Sequence, residues 1–367
     1  MSMNNNEGSK IMESTKEKTE NQIWRELPLE LLSSVMAYLE IKDNIRASIV
    51  CKSWYEAAVS VRVIDQPPWL IYFLKSRNSY EFYNPTSCKK YTMELPESLV
   101  GAIVRYSRDG WLLMSKNISS DFVLFNPFTM DLVVLPYLEL WYGYQLVGFS
   151  SAPTSSSCVV FTIKDYDPGH VTIRTWSPGE TTWTSTQVGS QFLDVKHNYV
   201  VFSNGLFYCL NLRKYLAVFD PSLRTWNVLD VLPPPICRGY IDDESWYEGK
   251  FMVGYKGDIF LICTYGNEDP LVFKLDLTQG IWEKKENLGS LTVFVSTMSC
   301  EPRTYVPERM LRNSIYFPKL CYNEPRCVAY SFDEGRYHPR VHNLDWEKIH
   351  SSENIWIEAP KNAFELV

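Results

Sequence analysis

A hairpin signature recurs along most of this chain beyond residue 66: an aromatic residue or Leu, then Asn, Asp or Ser, usually Pro, then four residues, then often Trp. It reads YNPTSCKKY from Tyr83, FNPFTMDL from Phe125, WSPGETTW from Trp176, FDPSLRTW from Phe219 and LDLTQGIW from Leu275, with a degenerate copy, FDEGRY, from Phe332. Turn chemistry accounts for the pattern, because Asn, Asp or Ser bonds its own backbone at the first turn position while Pro pre-sets the next φ. Trp183, Trp226 and Trp282 each fall six residues after the polar residue, where each can begin the returning strand and cover its neighbour. From Asn84 the steps to Asn126, Ser177, Asp220, Asp276 and Asp333 are 42, 51, 43, 56 and 57 residues, a mean of about 50 that suits one four-stranded propeller blade per repeat.

These repeats predict a β-propeller of six blades, with seven open if the YNPTS copy shares a blade with strands after Asn354. Within repeats, GDIFLICTY followed by PLVFKLDL and GLFYCLNL followed by YLAVFDP supply paired strands. Radial closure removes the exposed edges that so many strands would otherwise present. PWLIYF near Pro68 and NIWIEAP near Asn354 can close the ring by sharing a blade.

Ahead of the repeats, WRELPLELLSSVMAYLEIKDNIRASIVCKSW between Trp24 and Trp54 reads as three short helices. Pro28 sits where a first turn needs no backbone donor. Leu27, Leu31, Val35 and Leu39 recur every fourth position, widened by Leu32 and Met36. Asp43 is placed to cap a second helix carrying Ile45 and Ile49, and Ser53 a third carrying Trp54, Ala57, Ala58 and Val61.

The order of these residues matters more than their greasiness. A Leu-Pro-x-Glu-Leu start, spaced aliphatics, an Asp-led second helix and a closing Val-Cys-Lys-x-Trp are carried by Leu27, Pro28, Glu30, Leu31, Leu32, Val35, Leu39, Asp43, Arg46, Val50, Cys51, Lys52 and Trp54. This segment resembles an F-box. The resemblance implies a plug for the Skp-type adaptor of a cullin-RING ubiquitin ligase, the adaptor-binding set being Leu27, Pro28, Leu31, Leu32, Val35, Leu39, Ile45, Val50, Cys51 and Trp54. Leu27, Pro28, Leu31 and Leu32 stand foremost in it.

The remainder resembles the second domain of plant F-box proteins described as kelch-repeat or domain-of-unknown-function type, through PPWLIYF, RDGWLLMS, LFNPFTMDLVVLP, APTSSSCVVF, NGLFYCL, VFDPSLRTW and VFKLDLTQGIW. A strict kelch blade carries Gly-Gly, and this sequence has none, nor any Trp-Asp of the WD kind, so its propeller is kelch-like only. The expected class is multidomain α plus β: a tail over 1–22, a three-helix F-box over 23–66, the propeller over 67–360 and a short tail over 361–367.

Charge and composition narrow the partners. Thirty-six basic against 43 acidic residues give a net charge of -7, so no summed field attracts a phosphate backbone and nucleic acid is excluded as a partner. The first residues lack an apolar h-region, and no apolar run approaches bilayer length, which predicts a soluble protein of cytoplasm or nucleus without membrane contact. Nine scattered Cys with no Cys-x-x-Cys pair read as reduced small hydrophobes.

Chemistry is thin. No nucleophile elbow, dinucleotide fingerprint, Walker loop or His-Glu-x-x-His is present. The spacing of Cys321, Cys327, His338 and His342 loosely resembles a zinc site, but Pro339 interrupts any helix aligning the histidines, so neither metal nor cofactor is expected. Ser331 to Gly335 matches the start of an Asp-box, a structural turn, and a glycosidase would need paired carboxylates at the ligand face.

Binding is expected on the links between blades, LPYLELWYGYQ from Leu135 and DVLPPPICRGYIDDESWYEG from Asp230. There Trp141, Tyr142, Tyr144, Arg238, Tyr240, Trp246 and Tyr247 have the side-chain types of interface hot spots, and half-buried aromatics sealing a loop explain them equally well. The expected role is a non-catalytic receptor subunit that joins, through the adaptor, cullin and RING subunits to an unknown target protein. A non-degradative scaffold, and behind it a propeller glycosidase or lectin, are the alternatives.

Overall fold

The computed structural model describes residues 27–37, 39, 41–62, 66–74, 78–116, 121–138, 145–167, 170–189, 198–211, 215–238, 248–266, 268–320, 326–339 and 354–359. Both tails lie outside them. The chain divides into two compact units, Met1–Asp65 and Gln66–Val367.

The first unit holds α1 (Leu29–Ala37), α2 (Ile41–Ser48) and α3 (Lys52–Arg62). Pro28 lies just before α1, its carbonyl accepting from the amides of Leu31 and Leu32 at 3.1 Å each. Two expected caps are corrected. Helix α2 already begins at Ile41, so Asp43 lies within its first turn, and α3 begins at Lys52, so Cys51 stands at its N-terminal boundary and Ser53 inside. The Cys51 carbonyl accepts from Tyr55 N at 2.9 Å.

The second unit is a ring of six sheets. Its strands run β1 (Trp69–Leu74), β2 (Ser79–Asn84) and β3 (Lys89–Glu94); then β4 (Ile103–Arg108), β5 (Trp111–Ser115), β6 (Phe122–Phe125) and β7 (Leu132–Val134). Blade 3 is β8 (Gln145–Phe149), β9 (Val160–Asp167), β10 (His170–Trp176) and β11 (Thr184–Gly189). Blade 4 is β12 (Asn198–Ser203), β13 (Leu206–Asn211), β14 (Leu216–Asp220) and β15 (Thr225–Leu229). Blade 5 is β16 (Glu248–Tyr255), β17 (Asp258–Tyr265), β18 (Leu271–Asp276) and β19 (Ile281–Lys285). Blade 6 has five strands, β20 (Thr292–Ser296), β21 (Ser299–Arg303), β22 (Ser314–Leu320), β23 (Cys327–Ser331) and β24 (Arg336–His338).

The last strand, β25 (Asn354–Ile357), pairs antiparallel with β1, Trp69 against Ile357 and Tyr72 against Asn354, and becomes the innermost strand of blade 1. The YNPTS blade therefore does share a strand from beyond residue 353, and the count is still six because blade 6 is complete without it.

All six signature turns join the two outermost strands of a blade, as the repeat predicts. The side-chain oxygen of Asn84 accepts from Thr86 N at 2.8 Å and Ser87 N at 3.2 Å, and Asp220 accepts from Ser222 N at 2.8 Å and Leu223 N at 3.1 Å. Asn126 and Asp276 repeat the arrangement. Four residues on, the chain turns left-handed in each of these four: Cys88, Met130, Arg224 and Gly280 have φ of 56°, 65°, 54° and 67°. That shared conformation explains why four residues separate the polar turn position from the returning strand.

The sixth turn differs from the others in its rim. In blade 6 the chain enters at β20, second from the axis, returns through β21 at the axis and re-enters with β22 parallel to β20. This extra reversal moves the β23–β24 turn to the opposite rim, where the links between blades run. Asn313 fixes it there: its side chain accepts from Leu288 N at 2.9 Å and donates to Asp333 at 2.7 Å, while Tyr337 donates to the Glu268 carbonyl at 3.0 Å.

Six apolar clusters fill the six wedges between neighbouring blades. Trp183, Trp226 and Trp282 lie on outer strands or just before them and pack back onto the wedge shared with the preceding blade. The Trp183 indole also donates to the Pro136 carbonyl at 2.8 Å. Near the axis the blades approach so closely that a Cβ on Gly254 would lie 3.0 Å from both Ser203 Cβ and Val201 Cγ2.

The closing strand puts Trp356, fully buried, into the wedge between blades 6 and 1, edge-on to Phe294 with ring centroids 5.0 Å apart. Ser299 Oγ donates to the Trp356 carbonyl at 3.0 Å. Trp356→Ala is expected to cost about 3–5 kcal/mol, as large-to-small changes in a packed core do. Urea unfolding should show it as a lower midpoint.

Candidate functional site

The small helical unit uses its apolar residues on two sides. Leu32 and Met36 of α1 are each 1% exposed and pack with Ala57 and Ala58 of α3, with Leu27, Leu39, Ala47 and Trp54 partly buried around them. Asn44, buried, donates from its side chain to the Met36 carbonyl at 3.2 Å, which also accepts from Leu39 N at 3.2 Å where α1 ends.

A neighbouring face of α1 is left exposed among the described residues. Leu31 is 56% and Val35 49% exposed, one helical turn apart, and Pro28 and Leu29 are exposed as well. Val50 and its neighbour Ile49 are exposed at the α2–α3 turn, and Cys51 is half-buried. Of the expected adaptor set, Pro28, Leu31, Val35 and Val50 thus face outward. Leu27, Leu39 and Trp54 divide their surface between core and solvent. Leu32 is a correction: its side chain is spent on the unit's own interior and has no area to offer an adaptor. The Ile45 side chain lies outside what is described.

On the propeller, Trp141, Tyr142, Tyr144, Tyr240, Trp246 and Tyr247 lie outside the described residues, as does the Arg238 side chain. The described stretches leading to them are anchored. Leu135 and Leu138 are buried in the wedge between blades 2 and 3, while Tyr137 between them is 70% exposed. Val231 is buried, Leu232 and Ile236 are exposed, and Tyr265 donates to the Ile236 carbonyl at 2.9 Å. Both links therefore alternate fixed apolar anchors with outward apolar side chains on one rim.

Residues 24–63 match the family described as F-box-like, and residues 82–343, most of the chain, match the KIB1-4 beta-propeller family. The chain is an F-box protein with a KIB1-4 beta-propeller. It is 73% identical to F-box/kelch-repeat protein At1g57790 of Arabidopsis thaliana, covering 100% of both chains. F-box protein At3g56470 of the same plant is 42% identical over 95% of this chain and 92% of its own length. F-box protein At4g00893 is 39% identical over 97% and 92%.

Inside this F-box protein's ring lies an ionic cluster that sequence reasoning missed. Glu301 and Arg303 on innermost strand β21 form a buried pair at 3.1 Å. Arg303 also donates to the Gln66 carbonyl at 3.0 Å, where the chain enters the ring. From β4, Arg108 passes over blade 3 to donate to the Phe202 carbonyl at 2.9 Å. Burial opposes the Arg108 charge, yet Tyr106, Asp109 and Glu301 hold it above the ordinary range. Burial also pushes the Glu301 carboxyl up to about 7; Arg303 and Arg108 pull against the rise and Glu358 adds to it. The detectable signal was Glu301 and Arg303 two apart in a strand otherwise free of charge.

Among the described residues no group of three His, Cys, Asp or Glu could hold a metal, and no helix is long and apolar enough to cross a membrane. Cys327, one of the zinc-spaced residues, is buried in β23, whereas Cys321 and His342 lie outside the described residues. A carboxyl whose pKa is raised by folding stabilises the fold fully below its unfolded value and loses that contribution as pH rises through its folded value. Stability is therefore expected to fall between about pH 4.5 and about 7 on account of Glu301. Glu301→Gln should flatten that interval in Tm-against-pH scans.

Proposed function

We propose that this chain is the substrate-recognition subunit of an SCF-type ubiquitin ligase, its F-box docked on a Skp-type adaptor and its propeller holding a target protein. The observation that carries the reading is the division of α1: Leu32 and Met36 already complete the unit's core, so Leu31 and Val35 are left outward for a partner. A small helical unit gains nothing within itself from two exposed aliphatics one turn apart. In an F-box, the docking surface is their natural use.

The mechanism is proximity. The propeller raises the effective concentration of target lysines at the ubiquitin-loaded enzyme, which the adaptor, cullin and RING subunits bring. The chain itself transfers no group and works as a receptor. Target capture belongs on the rim carrying the links between blades, with Trp141, Tyr142, Tyr144, Arg238, Tyr240, Trp246 and Tyr247 as its contacts, continuing the exposed series of Tyr137, Leu232 and Ile236. Such a protein acts in cytoplasm or nucleus.

Leu31→Glu with Val35→Glu should abolish co-purification with a recombinant Skp-family adaptor while leaving the melting transition of the propeller in place. Leu32→Ala should instead destabilise the helical unit by about 2–5 kcal/mol, the range for emptying a core leucine site. Adaptor binding that survives the double glutamate change refutes the docking face. Trp141→Ala with Trp246→Ala should reduce recovery of targets by proximity labelling from an F-box-deleted chain, with adaptor binding of the full chain unchanged. A partner whose half-life ignores proteasome inhibition would identify a scaffold in place of a degradation receptor.

A further inference from the structure

The wedge between blades 2 and 3 is not apolar throughout. Alternation along a strand sends every second side chain to one face, and Trp111 and Leu113 of β5 both enter this wedge, so Ser115 faces it too. From blade 3, Val160 of β9 and Trp176 of β10 enter it, which places Thr162 and Arg174 on the same face. Thr162 and Arg174 are directly paired across the two strands, and Val147, also in the wedge, pairs with Thr162 on its other side. A bulge between Val104 and Tyr106 turns Arg105 toward the same wedge, where its Nε donates to Ser115 Oγ at 3.0 Å.

Four polar side chains thus line one wedge, and they are poorly satisfied. Arg105 Nη2, Thr162 Oγ1 and Arg174 Nη1 are buried with no hydrogen-bond partner, Thr162 at 1% exposure and Ser115 at 2%. Among the described residues neither arginine forms an ion pair. Burial alone holds both guanidinium groups below their ordinary pKa range. A buried cation lacking a counter-charge is costly, and nature normally pairs it. Elsewhere in the ring the rule is kept, as Arg303 with Glu301 shows. The outer cross-strand neighbour of Arg174, Ser185, is exposed, so the wedge opens to solvent on that side.

We propose that this wedge is a binding site for a small oxyanion, a phosphate or carboxylate group, held by Arg174 and Thr162 on blade 3 and by Arg105 and Ser115 on blade 2. Two guanidinium forks with two hydroxyl groups suit tetrahedral or planar oxyanions, and the positive charge of the arginines repels a cation. The ligand would tie two neighbouring blades together beneath the link that carries Tyr137, making it a stabiliser of that rim.

The test uses the full chain in chloride buffer, titrated with inorganic phosphate or with citrate, each against sodium chloride at matched ionic strength. Scanning fluorimetry should show a Tm rise that saturates, and calorimetry a heat that saturates with it. The arm with the stronger response names the group, phosphate or carboxylate. Arg174→Met should leave the Tm in chloride unchanged or higher, since a half-buried charge with no ion-pair partner among the described residues is removed, and should abolish the anion-dependent rise. Thr162→Val, a change of similar shape that removes the hydroxyl, should fold normally and weaken the fitted affinity at least tenfold. A wild-type chain that responds to neither anion beyond the chloride control overturns the proposal. So does a response undiminished in both variants.

Discussion

No blade of this ring can bury both of its faces alone. A four-stranded sheet carries apolar side chains on two sides, and here each side is covered only by the next blade, through six separate wedge cores. Every other feature depends on that mutual covering. Outer tryptophans reach back to the preceding wedge, and inner strands approach closely enough to require glycine at position 254. The pairing of β25 with β1 makes the arrangement cyclic, so every wedge is flanked by two blades.

A cyclic scaffold of this kind sorts its loops by rim. In five blades the outer hairpins share one rim, four of them held by Asn or Asp side chains bonded to their own turn, and the links between blades share the other. The links are longer and more aromatic, and their described stretches are pinned by buried Leu135, Leu138 and Val231. A closed ring presenting its links on one side is suited to recognition. The helical unit divides α1 likewise, with Leu32 and Met36 closing its own core and Leu31 and Val35 exposed.

The turn signature was legible because Asn, Asp and Pro impose local geometry that neighbours seldom override, and its spacing revealed the blade period. The F-box order was equally plain. The helix starts were less so: Asp43 and Ser53 have capping chemistry, but the helices begin two residues and one residue ahead of them. Leu32 could not be separated from Leu31 by pattern, because adjacent residues on one greasy stripe differ only in which neighbour each meets. The sixth turn, FDEGRY, looked like its relatives although its blade is threaded differently, and threading is a property of pairing rather than of turn residues. The axial charges left only the faint sign of Glu301 and Arg303 two apart in one strand, and the arginines of the wedge between blades 2 and 3 left none, since their burial depends on blades that meet only in the folded ring.

The pairing of first and last strands also fixes an order of events in the cell. Residues 69–74 leave the ribosome early and must wait for residues 354–357 before blade 1 gains its innermost strand. During that interval the nascent chain exposes both the open edge of β1 and the unfilled place of Trp356, a slow long-range closure of the sort that invites aggregation. Loss of residues 354–357 alone would leave that edge of β1 unpaired and the ring unable to shut.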